Sequence, residues 1–482
     1  MRNGLFFAAM LLLTTAALRA QNLSGLRLDN YSGSQGIQSN PTRGLELPAN
    51  VRWDATLAGA SVFFQNNIGF VSNTGLLGLA SSNGKVGSTL YSTQSVDSLY
   101  ADVFNKTGAL YLNGQAQILG PAFVLNHPEG FAFGVFANSR SFISSEINSD
   151  ANLYTISRTQ TFKQHTISTL NFKAAWWNEY GINFAKSFET DQFKWGLGGN
   201  LKILQSLQGA YGLVLTPTTI TNPETGLSTP NAALITPTNL EIAYTRASES
   251  NVMRTSGLGV GLDLGVNIMI ADPDDDEAMK FKAGFAITDI GGLNFGTDAI
   301  KHNISTNRID TLVRDQLSSA KGVDALFDTL YSNVLTDINT HSTTSGFSMG
   351  LPTTFRLNAE YFFTPRFSIA GQISQGIKLS NTALYSGNSM VVMPQYTSKW
   401  FSAQMPISLY NFSEIGIGAS LKLGYLSIGT DNLMSLIGKQ SQFTGMDFYV
   451  AIKIFPFPLS LDGLSDGGGP KRKGKAMGCY QF

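Results

Sequence analysis

Between Gly257 and Ile270 the chain alternates without interruption. Leu258, Val260, Leu262, Leu264, Val266, Ile268 and Ile270 are apolar, and Gly257, Gly259, Gly261, Asp263, Gly265, Asn267 and Met269 lie between them. Successive side chains of a strand point to opposite faces, so this stretch reads as a strand with one continuous apolar face and one small or polar face. The pattern recurs at Phe193, Trp195, Leu197, Leu201 and Ile203; at Ile415, Ile417, Ala419, Leu421 and Leu423; and at Met446, Phe448, Val450, Ile452 and Ile454. Strands of soluble proteins run about five or six residues, whereas these reach about ten, the length a tilted strand needs to cross a bilayer. The predicted fold is all-β, a transmembrane antiparallel β-barrel.

Composition agrees. Charged residues make up 14% of the 482, and 33 Lys+Arg balance 33 Asp+Glu, against about 25% charged in soluble domains. Zero net charge excludes binding dominated by nucleic-acid phosphates, so no nucleic-acid partner is expected. Arg2, the apolar run Leu5 to Ala17 and the small residue Ala20 read as a cleavable secretory signal, residues 1–20, cut after Ala20. Beyond it no apolar run is long enough for a helical span. The lone Cys479 has no partner for an intramolecular disulfide.

Bacterial outer-membrane barrels have short periplasmic turns and long outer loops. Short connections are expected near Asn126 to Glu129, Glu189 to Asp191, Ala271 to Glu277, Thr364 to Arg366 and Tyr410 to Ser413. Long ones are expected over Phe142 to Ser168, Leu207 to Asn251, Gly296 to Ser345, Ser380 to Tyr396 and Asp431 to Thr444. About eleven strands from Ala109 to Pro458, plus an opening strand Val51 to Phe64, give about twelve; a further pair within Asn67 to Tyr91 makes about fourteen, the preferred even number. Trp176, Trp177 and Tyr180, Tyr361 and Phe363, Tyr410 and Phe412, and Phe455 and Phe457 are candidates for interfacial aromatic girdles. The barrel is assigned residues 51–458, an N-terminal segment residues 21–50, and a flexible basic periplasmic tail residues 459–482. Within the barrel, residues 310–339 carry Val323, Leu326, Phe327, Leu330, Val334 and Ile338 at helical spacing, a predicted helical insertion in an outer loop.

The segment Gly36, Ile37, Gln38, Ser39, Asn40, Pro41 resembles the N-terminal Asn-Pro-Ala region of the FadL-like fatty-acid transporters and the related PorV proteins of type IX secretion, with Thr42 in place of the Ala. Ile287 to Gly291, Leu351 to Thr353 with Tyr361, and Gly429 to Asn432 are also similar to motifs of FadL/PorV-like outer-membrane proteins, particularly an uncharacterised Bacteroidota outer-membrane family. The resemblance implies a fourteen-stranded barrel whose N-terminal segment sits in the lumen as a hatch, with Ser39, Asn40 and Pro41 as its motif. It implies location in the cell outer membrane and one of two functions: transport of small hydrophobic molecules, which leave through a lateral opening, or an export-associated scaffold that docks secretion-system or surface proteins.

On the face opposite the apolar strips lie Lys194, Lys202, Asp263, Asn267, Lys280, Lys282, Arg356, Glu360, Lys422, Asp447 and Lys453, a candidate polar network filling the lumen. Asp289 and Asn432, each at a strand end, are candidate latches for the hatch, or caps of local backbone. No cofactor, metal or catalytic site is predicted. The acidic turn Asp272 to Glu277 lacks EF-hand spacing, and His127, His165, His302 and His341 are too dispersed for zinc. No Gly-x-Ser-x-Gly elbow occurs, which leaves a Ser/His pair built on His165 or His341 as the remote enzymatic alternative.

Overall fold

A computed structural model describes residues 23–48, 51–66, 110–149, 164–190, 193–221, 232–235, 238–246, 254–272, 275–306, 310–313, 341–410, 414–433 and 445–455. Its strands are, in chain order, β1 (Trp53–Asn66), β2 (Leu110–His127), β3 (Phe131–Ser149), β4 (Gln164–Glu189), β5 (Lys194–Val214), β6 (Thr218–Thr221), β7 (Ala232–Ile235), β8 (Thr238–Thr245), β9 (Gly257–Asp272), β10 (Asp275–Thr306) and β11 (Asp310–Val313). There follow β12 (His341–Gly350), β13 (Thr354–Phe362), β14 (Phe367–Gly376), β15 (Ser389–Thr397), β16 (Phe401–Gln404), β17 (Ile407–Tyr410), β18 (Glu414–Ile417), β19 (Ala419–Leu423), β20 (Leu426–Thr430) and β21 (Gly445–Ile454).

Every pairing is antiparallel, and β1 pairs with β2 on one side and β21 on the other, so the sheet closes on itself. Several segments are pieces of one stave. β6 prolongs β5, β7 and β8 prolong β9, β11 prolongs β10, and β12–β13, β16–β17 and β18–β19 are staves with brief interruptions, leaving a closed barrel of 14 staves. Closure satisfies the backbone without an exposed edge, the requirement for crossing lipid with strands. Ala55 lies opposite Ile454, so the chain enters and leaves the barrel at the same end.

The alternating strips face outward. Leu258 and Val260 are 63% and 66% exposed, Ile182 58%, Ile203 59% and Ile415 74%, while the side chains between them are buried. So many exposed branched and aromatic residues in one band suit lipid rather than water.

The wall is uneven in height. β4 has 26 residues, β5 has 21 and β10 has 32, whereas β13, β14 and β15 have 9, 10 and 9. At ~3.3 Å per residue β10 is roughly 100 Å long, far more than a tilted strand spends in an apolar band of about 25 Å. Much of the predicted long loops is therefore strand: β6, β7 and β8 lie within Leu207 to Asn251, and β10 runs to Thr306. Clear of lipid, a strand needs no long apolar strip: β6 reads Thr-Thr-Ile-Thr, β7 has four residues, and the alternation in β8 is confined to Leu240, Ile242 and Tyr244. Asp310–Val313 is likewise strand, paired with Ala232–Ile235, because it continues the β10 stave; the rest of the predicted helix lies outside the described residues.

The strand count stands, but its final pair is not where it was expected. The Asn67 to Tyr91 region lies outside the described residues, and the additional staves come from Ser389 to Thr430, where four short staves replace two long ones. The Tyr410 to Ser413 connection therefore sits at the loop end, and the turns at Ser398–Trp400 and Gly424 (φ 59°) take the turn end. Three predicted girdle residues are buried. Trp177, past a register shift at Trp176/Trp177, is wholly buried, Tyr410 is 3% exposed, and Phe455 is 2% exposed, packed with Ile37, Leu47 and Val51. The predicted signal and the basic tail lie outside the described residues.

Candidate functional site: the filled lumen

Residues Leu23–Pro48 pack inside the barrel as two short helical turns, Ser24–Arg27 and Gly33–Gly36, and a 3-10 turn, Pro41–Glu46. Leu23, Leu26, Leu28, Ile37 and Leu45 are buried against inward-facing wall residues, among them Leu119, Val124, Val391 and Ala185. Contacts reach many staves. Ser24 donates from both its amide and its hydroxyl to Asp431, and the Gly25 amide donates to Tyr449 Oη at 3.0 Å. Asp29 forms an ion pair with Lys422 at 3.3 Å. Burial alone would raise the Asp29 carboxyl, but the Lys422 charge and the Tyr31 amide hold it below its ordinary value. Lys453 donates to the carbonyls of Tyr31 and Ser32 and pairs with Asp54, whose other oxygen accepts from the Ser34 amide. Lys282 Nζ donates to Asn30 at 3.2 Å, and Asn267 donates to Glu46 at 2.8 Å.

The residues of the expected hatch motif make different contacts. Ser39 bonds locally to the Gly36 carbonyl. Asn40 caps the 3-10 turn by accepting from the Thr42 amide, and its amide donates to the Val266 carbonyl on the wall. The Pro41 carbonyl accepts from Asn183 at 3.0 Å.

Toward the loop end from this segment lies a buried ionic cluster. Arg140 grips Asp289 with two nitrogens and pairs with Glu179 at 3.2 Å, and Lys202 bridges Asp263 and Asp289. Asp289 reaches the lumen because the β9–β10 ladder shifts register between Ile287 and Ile290, with Asp289 at φ 60° and Gly291 at φ 145°. A bulge re-aims a side chain in this way, and Asp tolerates the left-handed region better than most residues. Arg356 reaches Thr288 at 3.4 Å. Arg27, from the N-terminal segment, reaches Gln117 at 3.3 Å. These groups surround a cavity of about 20 Å³, room for roughly one water.

Beyond the cluster the inner face turns apolar. Trp177, Leu204, Tyr211, Leu293, Phe295, Phe347, Met349 and Leu351 form one buried group. The loop Ile377–Asn388 folds onto it, with Leu384 wholly buried and its amide bonded to the Gly350 carbonyl at 2.9 Å. At the turn end the mouth opens into a pocket of about 640 Å³ lined by Tyr31, Leu47, Arg52, His127, Lys194 and Lys282 among others.

Of the predicted polar residues, Lys202 and Asp263 join in the ionic cluster with Arg356 beside them, and Lys422 and Lys453 hold the N-terminal segment. Glu360 instead accepts from Ser368 and Gln395 on neighbouring staves. Lys194 sits at the rim, paired with Glu189 at 2.6 Å. Lys280 lies over the Tyr361 ring, 5.8 Å from its centroid, on the outer side, because the β9–β10 register shifts between Met279 and Phe281. Asp447 accepts from the Asp431 amide at 3.0 Å. Asp289 lies in the cluster, and among the described residues its hydrogen-bond and ion-pair partners are Arg140, Lys202, Asp263 and Thr353, all on the wall. Asn432 contributes its amide to Thr430 Oγ1, while its neighbour Asp431 makes the contact with Ser24. Asp431, Arg140, Glu179 and Tyr449 were missed by the sequence reading. For Arg140 and Glu179 the signal was present, since each shares the inward parity of its strand with residues such as Asn138 and Asn183.

A family model described as "Family of unknown function (DUF5723)" matches residues 48–431. The chain belongs to that family. The DUF5723 match starts at Pro48 and spans the wall through β20. Comparison with curated proteins gives no match. Among solved structures, similarities include a TodX deltaS2S3 mutant monoaromatic hydrocarbon channel (12% identity, TM-score 0.40, covering 88% of this chain and 94% of that one). A FadL homologue from Pseudomonas aeruginosa (11%, TM-score 0.36, covering 91% and 96%) and the Pseudomonas putida toluene transporter TodX (11%, TM-score 0.36, covering 88% and 92%) are similar to the same extent.

Proposed function

We propose that this DUF5723 protein is an outer-membrane channel for small, predominantly apolar molecules, held closed by its N-terminal segment, with the turn end facing the periplasm. The observation that carries the reading is the buried apolar group lining the loop-end half of the lumen, from Trp177 to Phe347. Water-filled barrels have polar interiors, and an apolar inner wall suits cargo that leaves water willingly. The N-terminal segment suits a movable stopper, since it consists of short turns held by hydrogen bonds and a few ion pairs rather than by strand pairing. Passage then requires displacement of residues 23–48 and of the loop Ile377–Asn388. Uptake of a labelled aromatic hydrocarbon into cells or proteoliposomes carrying the full chain tests this, with a barrel-free control as baseline; uptake at baseline in variants that free the segment overturns it.

A second reading, a docking scaffold for secretion-system or surface proteins, is favoured by the height of β4, β5 and β10 beyond the lipid band. Mild crosslinking in intact cells followed by purification tests it, and recovery of the barrel alone counts against it.

A further inference from the structure

The walls of the cavity in the ionic cluster do not balance. Arg27, Arg140, Arg356 and Lys202 bring four positive charges, and Glu179, Asp263 and Asp289 bring three negative ones. The three carboxylates are all spent on Arg140 and Lys202. Arg27 and Arg356 are 7% and 6% exposed and make no ion pair among the described residues. Among the described residues their hydrogen bonds are long ones to neutral partners, Gln117 and Thr288. Arg27 Nε and Arg356 Nη1 are buried with no hydrogen-bond partner among the described residues. A guanidinium stays charged throughout the ordinary pH range, and a buried charge without a counter-charge is strongly unfavourable.

We propose that this cavity is an anion site that takes a single small inorganic anion of the chloride class, held between Arg27 of the N-terminal segment and Arg356 of the wall. The size selects the ion. About 20 Å³ accommodates one water-sized particle, so a monatomic halide fits where phosphate or a fatty-acid headgroup with its chain does not. Burial and the neighbouring Arg356 and Arg140 charges push Arg27 down to about 9, the direction a nearby anion reverses. Because Arg27 belongs to the segment and Arg356 to β13, the anion bridges the two, and its loss weakens the closed state. The site stands whether or not the barrel is a channel.

The test uses the purified full chain in detergent, followed by the midpoint of its heat-modifiable gel transition. Chloride or bromide is exchanged against gluconate at constant ionic strength. A saturable upward shift with either halide is expected, and Arg27→Gln and Arg356→Gln each abolish it. Equal midpoints in halide and gluconate, or a halide shift that survives in both variants, overturn the proposal. Should a variant fail to fold, anomalous scattering from bromide in crystals of the unmodified chain decides. A peak between Arg27 and Arg356 supports the site, and bromide found only elsewhere overturns it.

Discussion

Ser24 and Asp431 stand 407 positions apart in the chain and are joined twice, the Ser24 hydroxyl donating to Asp431 Oδ2 at 2.8 Å and the Ser24 amide at 3.3 Å. Asp431 is wholly buried and makes no ion pair among the described residues, so its partners are neutral donors. Asp431→Ala leaves the Ser24 amide without an acceptor, a loss of about 1–3 kcal/mol. Faster cleavage within residues 23–48 by a protease added to the purified barrel is the expected result, with Ser24→Ala giving a smaller change.

Gly25 tests the fit of the same segment. A side chain there would run into Ser420 Oγ and Tyr449 Oη. Gly25→Val is therefore expected to free the segment while leaving the wall paired. Protease access to residues 23–48 should rise, and heat-modifiable migration should persist.

The ionic cluster makes the opposite prediction, a loss felt by the whole barrel. Asp289→Ala deprives both Arg140 and Lys202 of a partner in a buried setting, where breaking a pair costs about 3–5 kcal/mol. The temperature at which the folded gel band converts to the unfolded one should fall. Asp289→Asn, which keeps hydrogen-bonding atoms, should fall less.

Acid should loosen the segment through Asp29. Its carboxyl is depressed in the folded state by Lys422 and the Tyr31 amide, so its contribution is present above the unfolded value of about 3.9 and is lost as pH falls through the lower folded value. Pepsin cleavage of residues 23–48 in the purified barrel should accelerate below about pH 4. In Asp29→Asn, cleavage should already be faster at the upper end of the pepsin range and show less pH dependence.

The barrel was readable in the sequence because lipid imposes a rule: wherever a stave meets it, alternate residues must be apolar, as from Leu258 to Ile270. Where that demand lapses the reading lapses too. β6 and β7 have only four residues each, and Pro217 and Pro237 stand before β6 and β8, so these segments passed for loop. Between Ser389 and Thr430, Pro406 and Gly418 interrupt short staves, hiding two of them. Inward-facing polar residues were partly legible by parity, which located Lys202, Asp263 and Lys453. Partnership was not legible: Asp431 rather than Asn432 meets Ser24, a difference of one residue at a strand end where the alternation no longer applies. Asp289 required a bulge that composition does not announce.

In the proposed function, residues 23–48 close a channel for apolar molecules. The most direct measurement compares hydrocarbon uptake by proteoliposomes carrying Gly25→Val with uptake by the same protein whose segment is tethered through Ser24→Cys and Asp431→Cys, with Cys479→Ser to remove the native thiol. Uptake that is fast in Gly25→Val, low in the oxidised tether and restored on reduction is the predicted result. Uptake that is the same in all three states would contradict it.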